Sequence, residues 1–225
     1  MDASVRAELA RTGFKATHGV SFASFESHES QGGQSRDVAL RQVIVPVDAL
    51  LTEKRSRRYV RENTLGVLDE ASGLYVGPIA VVRFARVWPA LIGELLPYHF
   101  WTRARLSEFV IEEKHDFPHA PGGRIVAKLA YEMHHGDGKP APPDRGRLRC
   151  EVRDVVAADS VDARLSGLAA RIDCEEVSEV DGDAAYSHWY ILDRGWSIAL
   201  EGEHTFRVGD YSQARRWRSK LMSFE

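Results

Sequence analysis

Cysteine is scarce in this chain: Cys150 and Cys174 are its only two. Zinc knuckles need four ligands in close Cys or His pairs, so two distant cysteines exclude a cysteine-based zinc site. Both fall in strand-like segments, and two buried thiols are the expectation. Long apolar runs are missing as well. The longest, such as residues 78–82, fall far short of the roughly 20 residues that a membrane-crossing helix needs. The opening "MDASVRAELARTG" lacks a basic stretch followed by an apolar one, so it does not read as a secretory leader. A cytoplasmic location and no membrane partner are therefore expected. Neither charge sign dominates: 30 basic against 33 acidic residues give a net charge of −3, which removes any global attraction to polyanions. Absent too are the nucleophile elbow, the Walker A loop, the dinucleotide-binding glycines and the paired His-x-Thr or His-x-Ser of two-histidine phosphoesterases.

What remains is the composition of a folded chain, 44% hydrophobic and 28% charged, with charge that is uneven along its length. "KRSRRYVR", residues 54–61, carries five cations and no anion, whereas "DCEEVSEVDGD", residues 173–183, carries six anions and no cation. One pole suits a polyanion and the other repels it.

Hydrophobic periodicity gives a mixed element order. "SVRAELAR" reads as a short helix with Asp2 at its start and Gly13 at its stop. "VALRQVIVPV" reads as a strand, followed by a helix over about 49–61 whose second half is basic on every face and should project into water. "TLGVLD" and "LYVGPIAVVRFARVW" form a hairpin about "EASG", and Trp88-Pro89 opens a further helix. "RARLSEFVIEEK" then passes from helix into strand. In the second half "RIVAKLAYEMH" alternates strictly, with Ile125, Ala127, Leu129, Tyr131 and Met133 on one face, and "RLRCEVRDVV" does so through Leu148, Cys150 and Val152. Helices are expected over about 160–172 and 212–224, with a three-strand meander between them. The order predicts an α+β fold of two stacked ferredoxin-like units, each an antiparallel sheet with helices on one side, spanning 1–115 and 123–225. The repeated order would fit an internal duplication.

Three sets of residues carry candidate chemistry. In "EMHHGDGK", Glu132 shares a face with His134 if the segment is a strand, and neighbours His135 if it is a helix; either pair could serve as acid and base or as two ligands of a divalent metal. The longer string "HDFPHAPGGRIVAKLAYEMHHGDGK" faintly resembles an HNH nuclease finger, although Lys128 stands where that family has asparagine and "GKPAPPDRG" cannot form its last helix. "FVIEEK", with Glu112, Lys114 and an upstream Asp69, resembles the restriction-endonuclease type of site, in which two carboxylates hold Mg²⁺. The third set is the basic run, Lys54, Arg55, Arg57, Arg58 and Arg61, extended by Arg147, Arg149 and Arg153 on the polar face of one strand. The tandem order is similar to that of CRISPR repeat-associated RNA binders, whose C-terminal glycine-rich loop this chain lacks.

The function expected from these residues is binding of an RNA or DNA backbone through the basic helix, within a larger complex. The alternatives are a metal-dependent phosphodiesterase, nuclease or other small-molecule enzyme using Glu132, His134 and His135, and a protein-interaction subunit or inhibitor using the acidic segment 173–183. No cofactor is expected unless a divalent metal.

Overall fold

The Asp2 carboxylate accepts a hydrogen bond from the Ser4 amide at 2.8 Å, and helix α1 follows over Ala3–Ala10, as the sequence predicts. Its Val5 and Leu9 are buried to 3% and 0% exposure, so the helix is held by one packed face. The computed structural model describes residues 1–60, 67–87, 100–135, 141–180, 182–208 and 211–225, and among these α1 is the one α-helix.

Nearly everything after it is strand. The strands are β1 (Ser21–Gln31), β2 (Gln34–Pro46), β3 (Thr52–Val60), β4 (Val67–Val76), β5 (Ile79–Val87), β6 (Phe100–His115), β7 (Arg124–His135), β8 (Asp144–Ala157), β9 (Leu168–Ser178), β10 (Gly182–Ile191), β11 (Trp196–Val208) and β12 (Tyr211–Phe224). Each pairs antiparallel with its chain neighbour, and β12 pairs with β1, which closes a 12-stranded barrel. The expected ferredoxin-like α+β units are thereby overturned. Residues 52–60 and 211–224, read as helices, are β3 and β12, and the helix expected over about 160–172 is a short 3-10 turn, a loop and the start of β9. "EASG", read as a hairpin turn, lies inside β4. The helix expected from Trp88 lies outside the described residues. Residues 1–115 and 123–225 both give strands to this one sheet, with the β6–β7 turn between them.

Strict alternation predicts β7 and β8 correctly. Ile125, Ala127, Leu129 and Met133 point inward and are buried, as are Leu148, Cys150 and Val152. Cys150 stands directly opposite Cys174 in the β8–β9 register, 4.1 Å apart at Cα, and the two form a disulfide where the sequence suggested separate thiols.

The loops β2–β3, β4–β5, β6–β7, β8–β9 and β10–β11 share one end of the barrel with α1. There Leu9, Phe14, Leu50, Leu51 and Phe117 close the interior, and the Phe14 ring meets Phe117 and Tyr190 edge-on at 5.2 and 4.8 Å. A second core forms because β11 pairs with β12 only from Glu201 onward. The first residues of β11 leave that edge, and Trp196 and Ile198 pack with Ala23, Phe25 and Ile44, Trp196 stacking on Phe224 at 4.3 Å.

No described helix is long and apolar enough to cross a membrane. The outer wall of β6–β9 carries ion pairs, Glu112 with Lys128 and Arg147 and Arg153 with Glu151 and Asp173, where a membrane-spanning barrel carries an apolar band.

If α1 is the plug of the barrel, Leu9→Ala removes a fully buried side chain at the closed end. A loss of about 2–4 kcal/mol is expected in urea titration; a loss below about 0.5 kcal/mol would show the helix to be an ornament.

Candidate functional site

The basic run is a strand, and the strand divides it. Lys54 and Arg58 point into the barrel with Ser56, while Arg55 and Arg57 lie on the outer wall. Arg55 is paired with Glu53 at 2.8 Å. Arg61 lies outside the described residues. The projecting basic helix on which nucleic-acid binding was expected is therefore absent.

Inside, Arg58 donates to the Glu29 carboxylate at 2.8 Å. The same carboxylate accepts from Arg215 of β12 at 2.8 Å and from Arg36 of β2 at 3.4 Å. Glu29 is 4% exposed, so three guanidiniums from three strands converge on one buried anion.

Beside this cluster lies a cavity of about 400 Å³. Val38, Leu40, Leu129 and Met133 give it an apolar wall, and Tyr75, Tyr131, Tyr186 and Trp217 an aromatic one. Polar groups interrupt these walls: Arg83, Glu176 and His204, and Asp144, whose oxygens accept from Ser178 Oγ at 2.7 and 2.8 Å and from the Val180 amide at 3.0 Å. The tyrosines lie within electrostatic reach of one another, and burial drives the Tyr131 and Tyr186 hydroxyls far above the ordinary phenol range, with Glu176 adding to the shift. They remain neutral donors. Tyr131 donates to the Ala80 carbonyl at 3.1 Å.

Two glycines make room for the rings. A Cβ on Gly73 would stand 2.9 Å from the Tyr75 ring, and one on Gly202 would stand 2.3 Å from Trp217. The rings therefore lie against bare backbone, the close approach that a glycine within a strand signals.

Next to two of the lining tyrosines, Tyr75 and Tyr186, are Lys54 and His188. The Lys54 ammonium sits over the Tyr75 ring, 5.1 Å from its centroid, and burial pushes its pKa down to about 8. His188 is 3% exposed, and neither ring nitrogen has a hydrogen-bond partner among the described residues. Burial first and the Lys54 charge second push its pKa down to about 3, so the ring is neutral. Tyr186, His188 and Tyr190, two apart along β10, share the inward face. His204 does not share a face with Trp196 and Ile198, because a β-bulge opposite Ser187 and His188 shifts the β11 register.

The other candidates lie outside the lumen. Glu132 and His134 share the outer face of β7, and Arg105 approaches Glu132 at 4.0 Å. His135 is in the same strand, with its side chain outside the described set. Among the described residues no three His, Cys, Asp or Glu side chains gather as a metal site. Arg147, Arg149 and Arg153 share the outer face of β8, where Arg147 meets Glu112 at 3.0 Å and Arg153 meets both Glu151 and Asp173 at 2.8 Å. Glu112 is bound by Lys128 and Arg147, which hold its carboxyl below the usual range. The acidic segment is split in turn: Asp173 and Glu175 face out, and Glu176 faces the cavity.

No protein-family model, curated protein or solved structure matches the chain. The lumenal residues Glu29, Tyr75, Tyr131, Tyr186, Arg215 and Trp217 were not singled out from sequence as a site. The available signal was the pair of strand glycines, each placed against an aromatic ring.

Two measurements bear on these groups. Glu29→Gln leaves the guanidiniums without their shared anion and should cost about 3 kcal/mol, while Arg36→Ala, half-exposed, should cost under about 1 kcal/mol; equal losses would remove the cluster from the seam. For Lys54 the folded pKa of about 8 lies below the ordinary 10.5, so across that window the unfolded chain holds a proton that the folded chain has released, and stability rises with pH. Below pH 8 both states are protonated and the burial penalty is in full force. Lys54→Met should therefore raise the urea midpoint near neutrality, and its advantage over the wild type should shrink as pH climbs through the window. A constant advantage would mean that the ammonium is solvated.

Proposed function

We propose that this barrel is a binding protein for a small amphipathic molecule held in its lumen. The carrying observation is the cavity of about 400 Å³, apolar and aromatic on its walls with a few fixed polar groups. Ligand sites have that size and that mixture of lining. The three tyrosines offer flat apolar faces and neutral hydroxyl donors, which suit an apolar body with a limited number of acceptors. Twelve strands enclose more space than their own inward side chains fill, and the α1 plug occupies one end of it.

The test uses 1-anilinonaphthalene-8-sulfonate, which gains fluorescence in apolar surroundings, with decanol as competitor. One molecule per chain should bind and be displaced. Ala184 projects into the cavity from β10, so Ala184→Trp should abolish binding while the melting temperature stays within a few degrees. Unchanged binding by Ala184→Trp would place the probe on the outer surface and end this reading.

A further inference from the structure

The cavity leaves two polar side chains beside it unexplained. His188 on β10 is 3% exposed with both nitrogens unpartnered among the described residues, a condition that buried imidazoles rarely keep. Lys54 on β3 makes no ion pair among the described residues, and its ammonium has only the Tyr75 ring beneath it. The two approach the same space from different walls. In the closed order, four strands separate β3 from β10 on one side and six on the other, so they oppose each other across the lumen. Lys54 lies nearer the α1 end of its strand than Arg58, and His188 nearer that end than Tyr186. The Lys54 charge reaches His188. Tyr75, under the ammonium, and Tyr186, with its ring centroid 6.1 Å from that of His188, both line the cavity. Each of the two thus adjoins the cavity through a tyrosine that lines it.

We infer that Lys54 and His188 seat the carboxylate of a monocarboxylic amphiphile whose apolar body occupies the cavity between the tyrosines. This rests on the lumenal binding reading above. Two donors and one net positive charge define the head group. A neutral imidazole offers one N–H and the ammonium three, and a carboxylate accepts from both while cancelling the single charge. A phosphate dianion would leave excess negative charge in the wall, an alcohol would leave the ammonium uncompensated, and an amine would be repelled. Among the described residues no carboxylate pairs with Lys54 or bonds His188. Asp173, whose field reaches His188, is on the outer wall and is bound by Arg153 and Ser187. The rival seat is the arginine cluster, where Arg36, Arg58 and Arg215 share the one Glu29 carboxylate and Arg58 and Arg215 line the cavity, and Arg215→Met tells the two seats apart.

Calorimetry on the full chain with decanoate, decanol and decylamine tests the assignment. Decanoate should bind more tightly than decanol by about ten-fold, and decylamine more weakly than either. Lys54→Met should bring decanoate down to the level of decanol and leave decanol unchanged, whereas Arg215→Met should keep the preference. In the wild type, imidazole ¹⁵N resonances of His188 should shift with decanoate and stay in place with decanol, a readout that does not depend on how any variant folds. Equal affinity for decanoate and decanol, or a preference lost in Arg215→Met and kept in Lys54→Met, overturns the carboxylate seat and leaves lumenal binding standing. Failure of all three compounds to bind overturns both.

Discussion

Glu29 holds the seam. A sheet that closes on itself must bring its first and last strands together, and here that junction is β1 against β12. Backbone pairing alone gives any two antiparallel strands the same bonds, so it does not say which register closes the ring. The buried carboxylate does. It is reached from β12 by Arg215, from β2 by Arg36 and from β3 by Arg58, so four consecutive strands share one node. A register slip of one residue at β12 would turn Arg215 outward and leave a buried anion short of a partner, which is costly in a low-dielectric interior. The seam is thus specified by charge where much of the remaining wall is specified by apolar packing.

Closure has a second consequence. Once the edges are gone the barrel must fill its interior, and this chain does so unevenly. At the α1 end Leu9, Phe14, Phe117 and Tyr190 pack as an ordinary core, with the Tyr190 hydroxyl accepting from the Lys15 amide at 2.7 Å. Further from α1 the inward positions turn to tyrosine, arginine, glutamate and histidine, and packing gives way to a cavity. The same wall strands contribute to both regions. Inward residues of β10, for example, run from Tyr190 in the packed end through His188 to Tyr186 and Ala184 at the cavity. One rigid scaffold therefore sets the distance between the floor and the polar groups above it.

This gradient also explains what could be read from the sequence. β7 and β8 were legible because their inward residues are apolar and their outward ones charged, so the period of two is plain in "RIVAKLAYEMH" and "RLRCEVRDVV". β3 was not. Its inward residues Lys54, Ser56 and Arg58 are as polar as its outward Glu53, Arg55 and Arg57, because the lumen they face is polar, and a period carried by hydrophobicity disappears when both faces are hydrophilic. β12 failed for the same reason, with Arg215 and Ser219 inward beside Trp217. Its Ala214, Trp217, Leu221 and Phe224 happen to fall three or four apart and imitate a helix stripe. Of the candidate residues, the shared face of Glu132 and His134 was correctly one of two readings, and that of Arg147, Arg149 and Arg153 was read directly, since side-chain parity needs no tertiary information. That Lys54 and Arg58 face inward required knowing that the sheet closes.

Places where a sequence breaks its own local rules are where function is to be sought. Nothing in the closure of a barrel requires a lysine over the Tyr75 ring or a buried imidazole with neither nitrogen partnered among the described residues. A methionine of similar length would fill the Lys54 position without carrying a charge into the wall, and a leucine or phenylalanine would satisfy packing at His188 without two unpartnered nitrogens. The Arg215 and Glu29 charges answer one another across the seam, and Asp144 is answered by Ser178 and Val180. Among the described residues His188 has no hydrogen-bond partner and Lys54 no ion pair, and both adjoin the tyrosines that line the cavity. The penalty of keeping them is felt by the ligand-free barrel, and a bound acid would relieve both halves at once. A site that is costly when empty and satisfied when filled converts its own instability into affinity for the molecule that completes it.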